Sequence, residues 1–289
     1  MKHEQFRHPY SFGIYEKAMP PTLPISEKLL VAAKHGYDFM ELSIDESDEK
    51  LARLDASAEW KRELCDAAQN ADIRVSTMCL SGHRKYPIGS TDPKTRAHGM
   101  EIMRGAILLA ADIGIRIIQI AGYDAYYEPS TETTRALFAD NLEESVAFAS
   151  RYGVCLAFET METPFMNTVE KALEFVQKIN SPFLQIYPDV GNVTNALGGD
   201  TSRISNDILS GAGHLVAVHL KETRPGVFRE VPYGQGHVNF DSCIEAAFLG
   251  GARLFTSEFW FQRDTDWELD IEQASTFLRT KLDRISHGE

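Results

Sequence analysis

Four short apolar runs in the second half of the chain each end in a residue able to bind a metal ion: LAFE at Glu159, IYPD at Asp189, VAVH at His219 and FTSE at Glu258. Three carboxylates and one imidazole make a mainly hard, oxygen-rich donor set. Such a set suits one divalent ion: Mn²⁺, Mg²⁺, or Zn²⁺ or Co²⁺ held without thiolates. Carboxylates buried at these places without a cation are costly, or are forced to take up protons. A buried hydrogen-bond network is the competing explanation for the set.

The remaining histidines are weaker candidates. His214 precedes the run that ends in His219, so it belongs at the opposite end of that strand and is structural. His83 lies in a loop where it can meet a substrate. His35 and His98 read as helix-surface or packing residues, and His3, His8 and His287 lie near the termini and carry no signal.

For the four ligand-type side chains to converge, the strands that carry them must end on one face. Strand patterns fall at residues 11–15, 39–44, 74–80, 116–121, 155–160, 184–190, 215–220 and 254–260. Several are continuous apolar runs, as expected of parallel strands covered by helices. Helical patterns alternate with them at 25–35, 58–70, 94–113, 131–152, 168–178, 201–209, 241–249 and 266–285, with Asn167 as a cap for the fifth. This repetition predicts an α/β fold, a single (β/α)8 barrel domain over residues 1–289, whose strand ends open on one mouth. An open doubly wound sheet would place a glycine fingerprint after the first strand, but residues 10–19 contain only Gly13.

Composition agrees. The 289 residues are 43% hydrophobic and 25% charged, enough for a sizeable core in a barrel of roughly 250 residues or more. A formal net charge of -13 argues against a nucleic-acid partner, whose phosphates need a basic surface, yet a few local Lys and Arg side chains can still hold a small phosphorylated molecule. Cys65, Cys79, Cys155 and Cys243 are scattered and form no CxxC pair, so free thiols, buried in the strand-like runs, are expected. The opening MKHEQFRHPY lacks the apolar stretch of a signal peptide. The apolar region 106–122 is broken by Asp112, Arg116 and Gln119, so no membrane span is expected. These features fit a cytoplasmic protein.

Longer motifs add a resemblance. FGIYEKAMP, STMCLSGHRKYPIGS, ETMETPFMNT, YPDVGNV, HLKETRPGVF, VPYGQGHVNF and SEFW run through nearly the whole chain. They resemble the L-ribulose-5-phosphate 3-epimerase (L-xylulose-5-phosphate 3-epimerase) family of the xylose-isomerase-like TIM barrel superfamily. The GxGxVxF segment is common across that superfamily, whereas YPDVGNV and METPFMNT are far more specific.

The resemblance implies that Glu159, Asp189, His219 and Glu258 hold one divalent metal ion, in agreement with the reading of the strand ends. It implies a cytoplasmic isomerase of pentose phosphates, as in L-ascorbate utilisation, with a small sugar phosphate as partner; a homo-oligomer fits barrels of this kind. Related ketose 3-epimerases often carry a histidine three residues after the metal-binding aspartate. This chain has Asn192 there, which leans toward the phosphorylated-sugar branch.

Epimerising C3 of a 2-ketose requires removal of the C3 proton and its return to the other face. Opposed acid/base groups and a cation that stabilises a cis-enediolate meet that need. Glu159 and Glu258, from strands five and eight, are the expected catalytic pair, with Asp189 and His219 holding the cation. For the phosphate and hydroxyls the candidates are His83 and Arg84 beside Lys85, Lys17, Asn192, Lys221 with Glu222, and Arg224. Tyr15, Trp260 and Phe261 are candidate walls.

An aldose–ketose isomerase would share the same barrel and enediolate. An abasic-site endonuclease would need clustered histidines and a basic face, which the charge of -13 disfavours. A non-catalytic sugar-phosphate-binding protein has no need of opposed bases.

Overall fold

Eight apolar runs become eight parallel strands in the computed structural model, which describes residues 9–287. They are β1 Ser11–Tyr15, β2 Phe39–Ile44, β3 Arg74–Leu80, β4 Ile117–Ala121, β5 Cys155–Glu159, β6 Leu184–Tyr187, β7 Val218–Leu220 and β8 Leu254–Ser257. Ladders join them in the order β6-β5-β4-β3-β2-β1-β8-β7. Between β6 and β7 the parallel bridges Ile186 to Leu215 and Asp189 to His219 complete the circuit. The opening segment with His3 and His8 lies outside the described residues.

Among the described residues, ten α-helices lie between and after the strands: α1 Ile25–Lys34, α2 Asp48–Leu51, α3 Ala58–Asn70, α4 Pro93–Ile113, α5 Glu132–Arg151, α6 Val169–Ile179, α7 Val190–Ala196, α8 Thr201–Ser210, α9 Phe240–Leu249 and α10 Trp267–Ser286. Local chemistry sets their ends. Asp92 caps α4 by accepting from Lys94 N and Thr95 N, Pro93 opens it, and Gly114 stops it at φ 85°. The cap of α6 is Thr168, not Asn167; Asn167 instead accepts from the Lys171 ammonium at 2.7 Å.

The short helices α2 and α7 do not follow from the apolar pattern. The expected strand 184–190 ends at Tyr187 because Pro188 has no N–H to give a ladder and Asp189 turns to cap α7. The expected strand 215–220 is ordered as a ladder only over Val218–Leu220.

Along the strands, alternate residues serve two different interiors. Leu42, Met78, Ile118, Phe158, Ile186, Val218 and Phe255 belong to the large apolar cluster that includes side chains of the surrounding helices. The residues between them include Glu41, Thr77, Gln119, Tyr187, His219 and Thr256, all fully buried. Hydrogen bonds across the barrel link several of these, such as Tyr187 OH to Glu41 Oε2 at 2.9 Å. The barrel axis is therefore polar toward the mouth, and small apolar groups such as Ala157 and Ala217 pack beside Tyr187. No helix among the described residues is long and apolar enough to cross a membrane. The four cysteines are free thiols; Cys79 and Cys243 are buried, Cys155 is half-buried and Cys65 is exposed.

Candidate active site

Glu159 is the last residue of β5, Asp189 lies two residues past β6, His219 sits within β7 and Glu258 follows β8. Four adjacent strand ends thus present one donor each. One potential ligand atom from each side chain lies within 4.8 Å of the others, and all four residues are buried. His219 Nδ1 is 3.0 Å from Glu159 Oε1 and 3.3 Å from Glu258 Oε2. Asp189 divides its carboxylate: Oδ1 accepts from Asn192 N at 2.9 Å, and Oδ2 turns to the Lys221 ammonium. Glu258 Oε2 has no hydrogen bond, only the His219 contact and a 3.6 Å approach of Lys221 Nζ.

The electrostatics are strongly anionic. A fourth carboxylate, Glu41 on β2, is 2.7 Å from His219 Nε2. If ionised, these four carboxylates outnumber the Lys221 ammonium and a protonated His219 by two. Burial pushes the Asp189 carboxyl up to about 7 despite the pull of Lys221. Burial works against a charged His219, but Glu41, Glu258 and Glu159 raise its pKa well above the ordinary imidazole range. Burial likewise opposes the Lys221 charge, while Asp189, Glu258 and Glu159 hold its pKa above the usual lysine range. The donor set fits a divalent cation: hard oxygens with one imidazole, two buried oxygens lacking a hydrogen bond (Asp189 Oδ2 and Glu258 Oε2), and a surplus of negative charge that such an ion would offset.

A cleft of about 80 Å³ opens on this cluster. Tyr15 and Trp260 wall it, edge to face at 6.2 Å between ring centroids. Lys17, Arg84, Asn192 and Lys221 line it. Asn192 donates its amide to Thr160 O at 2.8 Å, which leaves a buried Oδ1 with no protein partner. Lys17 pairs with Asp45 at 2.5 Å. The Arg84 guanidinium lies 5.0 Å from the Tyr126 ring centroid, and its Nε is buried without a partner. A larger cavity of about 320 Å³ shares Lys221, Glu258 and Trp260 with the cleft.

Two expected contacts do not reach the cleft. His83 is buried in the turn Gly82–Arg84 with Nε2 3.1 Å from Gly99 O on α4, so its ring packs between turn and helix. Burial lowers its pKa to about 4. Arg224 is spent on its own loop: Nε donates to Gln235 O at 3.0 Å, and its backbone pairs with Val227. Phe261 also does not line the cleft; its N–H bonds to Lys17 O at 2.8 Å.

Other residues of the site escaped the sequence reading. Arg229 lines the cleft, 5.3 Å over the Trp260 ring. Glu162 also lines it and accepts from Tyr123 OH at 2.5 Å. Gln119 on β4 donates to Glu159 Oε2. Glu41 and Gln119 did leave a signal, since each is a polar residue inside an otherwise apolar strand (FMELSI and IIQIA). Arg229 left none, because nothing local says that its loop folds onto the mouth.

The sequence matches the xylose isomerase-like TIM barrel family over residues 29–281. L-ribulose-5-phosphate 3-epimerase UlaE of Escherichia coli strain SMS-3-5 is 44% identical over 271 residues, covering 93% of this chain and 94% of that protein. Two solved structures share the fold at low identity. D-allulose 3-epimerase from Methylomonas sp. superposes with a TM-score of 0.75 at 18% identity over 94% of this chain and 98% of the other. An L-ribulose 3-epimerase superposes with a TM-score of 0.74 at 19% identity over 96% of each chain. By the extent of these matches and the barrel that accompanies them, the chain belongs to the xylose isomerase-like TIM barrel family and, within it, to the L-ribulose-5-phosphate 3-epimerase family.

Proposed function

We propose that this protein is a metal-dependent isomerase that interconverts L-ribulose 5-phosphate and L-xylulose 5-phosphate by inverting C3. The observation that carries the chemistry is the placement of Glu159 and Glu258 at the ends of β5 and β8, both lining one cleft and both against His219 Nδ1. The substrate class rests on the near full-length kinship to L-ribulose-5-phosphate 3-epimerase UlaE. Cations that line the cleft support a phosphorylated substrate.

Glu159, Asp189, His219 and Glu258 would hold one divalent ion, which supplies positive charge to the developing enediolate oxygens at C2 and C3. The protein's own groups do the rest. One glutamate takes the C3 proton, weakly acidic beside the C2 carbonyl, and a cis-enediolate forms. The other delivers a proton to the opposite face, and the roles exchange in the reverse direction. Gln119 would orient Glu159 through its hydrogen bond to Oε2. Asn192 Oδ1 is free to accept from a sugar hydroxyl. Lys221 stands beside Asp189 and Glu258, where it can also meet the sugar oxygens. Arg84, Arg229 and Lys17, which line the cleft, would hold the phosphate, and Trp260 and Tyr15 would cover the substrate from water.

The test is an assay of the metal-loaded protein in D₂O with L-xylulose 5-phosphate and with free L-xylulose. Formation of L-ribulose 5-phosphate labelled at C3 is expected. Label at C1 or C2 alone would instead indicate an aldose–ketose isomerase, and equal rates on the free sugar would remove phosphate from the reading.

A further inference from the structure

We propose that Glu41 is a positioning residue for the metal site: it accepts the Nε2–H of His219 and so reserves the Nδ1 lone pair for the cation. This rests on the metal-site reading above. Glu41 Oε1 lies 2.7 Å from His219 Nε2, while Nδ1 faces Glu159 and Glu258 at 3.0 and 3.3 Å. Both ring nitrogens face carboxylate oxygens, but those at Nδ1 belong to the candidate ligand set and would turn to the cation, whereas Glu41 lies outside that set and would stay on Nε2. A neutral imidazole carries one N–H and one lone pair, and the acceptor opposite one nitrogen decides which is which. A carboxylate on the far nitrogen also makes the ligating nitrogen more basic toward a metal.

Glu41 is built for that task and for little else. It is fully buried and does not line the cleft, so it has no access to substrate. Its second oxygen is held on two sides, by Thr77 Oγ1 at 2.7 Å and Tyr187 OH at 2.9 Å. Tyr187 OH is itself 2.6 Å from Thr256 Oγ1. The ladder shifts register between Met40 and Glu41, where Met40 pairs with Val75 but Glu41 pairs with Thr77. Such irregularities re-aim side chains, and here the shift sets Thr77 beside Glu41. No Lys or Arg among the described residues forms an ion pair with Glu41. A purely architectural hydrogen-bond acceptor at this point would serve equally as a glutamine, without the cost of a buried charge. That difference makes the idea testable.

The experiment uses the full chain with ¹⁵N-labelled histidine and Zn²⁺ as the probe. In the Zn²⁺-loaded protein, His219 is expected to carry its proton on Nε2 and to bind the ion through Nδ1. In Glu41→Gln, which keeps an acceptor of the same shape, the Zn²⁺ Kd from chelator competition is expected to rise about 10- to 100-fold, with an upfield shift of the Nε2–H proton. An unchanged Kd in Glu41→Gln overturns the proposal. So does ligation through Nε2 in the unmodified protein, a result that does not depend on how the variant folds. If the unmodified protein takes up no Zn²⁺ or Mn²⁺ at all, the metal-site reading fails, and this inference falls with it.

Discussion

Asp189 and Asn192 are joined across the first turn of α7: the Asp189 Oδ1 accepts the Asn192 backbone N–H at 2.9 Å. One carboxylate therefore starts a helix with one oxygen and faces the candidate metal site with the other. Asp189→Asn keeps a side chain that caps well, whereas Asp189→Ala does not. Both variants are expected to lose metal affinity, but Asp189→Ala should also be less stable than Asp189→Asn by about 1 kcal/mol. Urea unfolding of the metal-free variants, set beside metal titration, separates the two roles.

The opposed-base reading assigns one face of C3 to each glutamate. With metal at saturating concentration, Glu159→Gln and Glu258→Gln should each lower epimerisation at least ~100-fold with the fold intact. They should differ in isotope exchange: each variant should retain C3 wash-out from only one of the two epimers. Near-normal turnover in either variant, or identical exchange patterns in both, would sink the assignment.

Arg84 and Arg229 face the cleft from different loops, over Tyr126 and Trp260 respectively. A charge-assisted contact to phosphate contributes on the order of 1.5 to 3 kcal/mol. Arg84→Met and Arg229→Met should each raise KM for L-xylulose 5-phosphate by about 10- to 100-fold and leave KM for the free sugar nearly unchanged. A rise of the same size for both substrates would place these arginines outside phosphate recognition.

His83 makes a separate prediction about stability. Its pKa falls to about 4 on burial, below that of an exposed histidine near 6.5. The unfolded chain therefore binds a proton there before the folded one does. The neutral ring's contribution is complete above pH ~6.5 and is lost as pH falls toward 4, up to about 3 kcal/mol. His83→Gln should flatten that part of the stability curve by about one proton, measured by denaturant midpoints across the window. A slope identical to that of the unmodified chain would exclude a buried neutral His83.

Much of this architecture was legible locally. Strand and helix are signalled by periodicity over a few residues, and the ladders of β1, β2 and β3 match the expected spans. Errors gathered where side-chain chemistry overrides pattern: after Tyr187, where Pro188 and a capping Asp189 end a strand early, and at Thr168, which caps α6 in place of its neighbour. The loops were less legible. His83 and Arg84 are adjacent in sequence, yet one packs under α4 and the other reaches the cleft.

By itself the sequence determined that strands five to eight carry a ligand-type residue at or near their C-terminal ends, and a parallel barrel is enough to bring those ends together. Tertiary structure alone decided what surrounds them. It brought Glu41 across the barrel to His219, folded Arg229 over Trp260 and turned Arg224 back onto its own loop. The physical reason is range. Alternation and capping act between neighbours along the chain, whereas the partner of a buried imidazole nitrogen or the resting place of a loop arginine depends on residues far away in sequence, 178 positions away for Glu41 and His219.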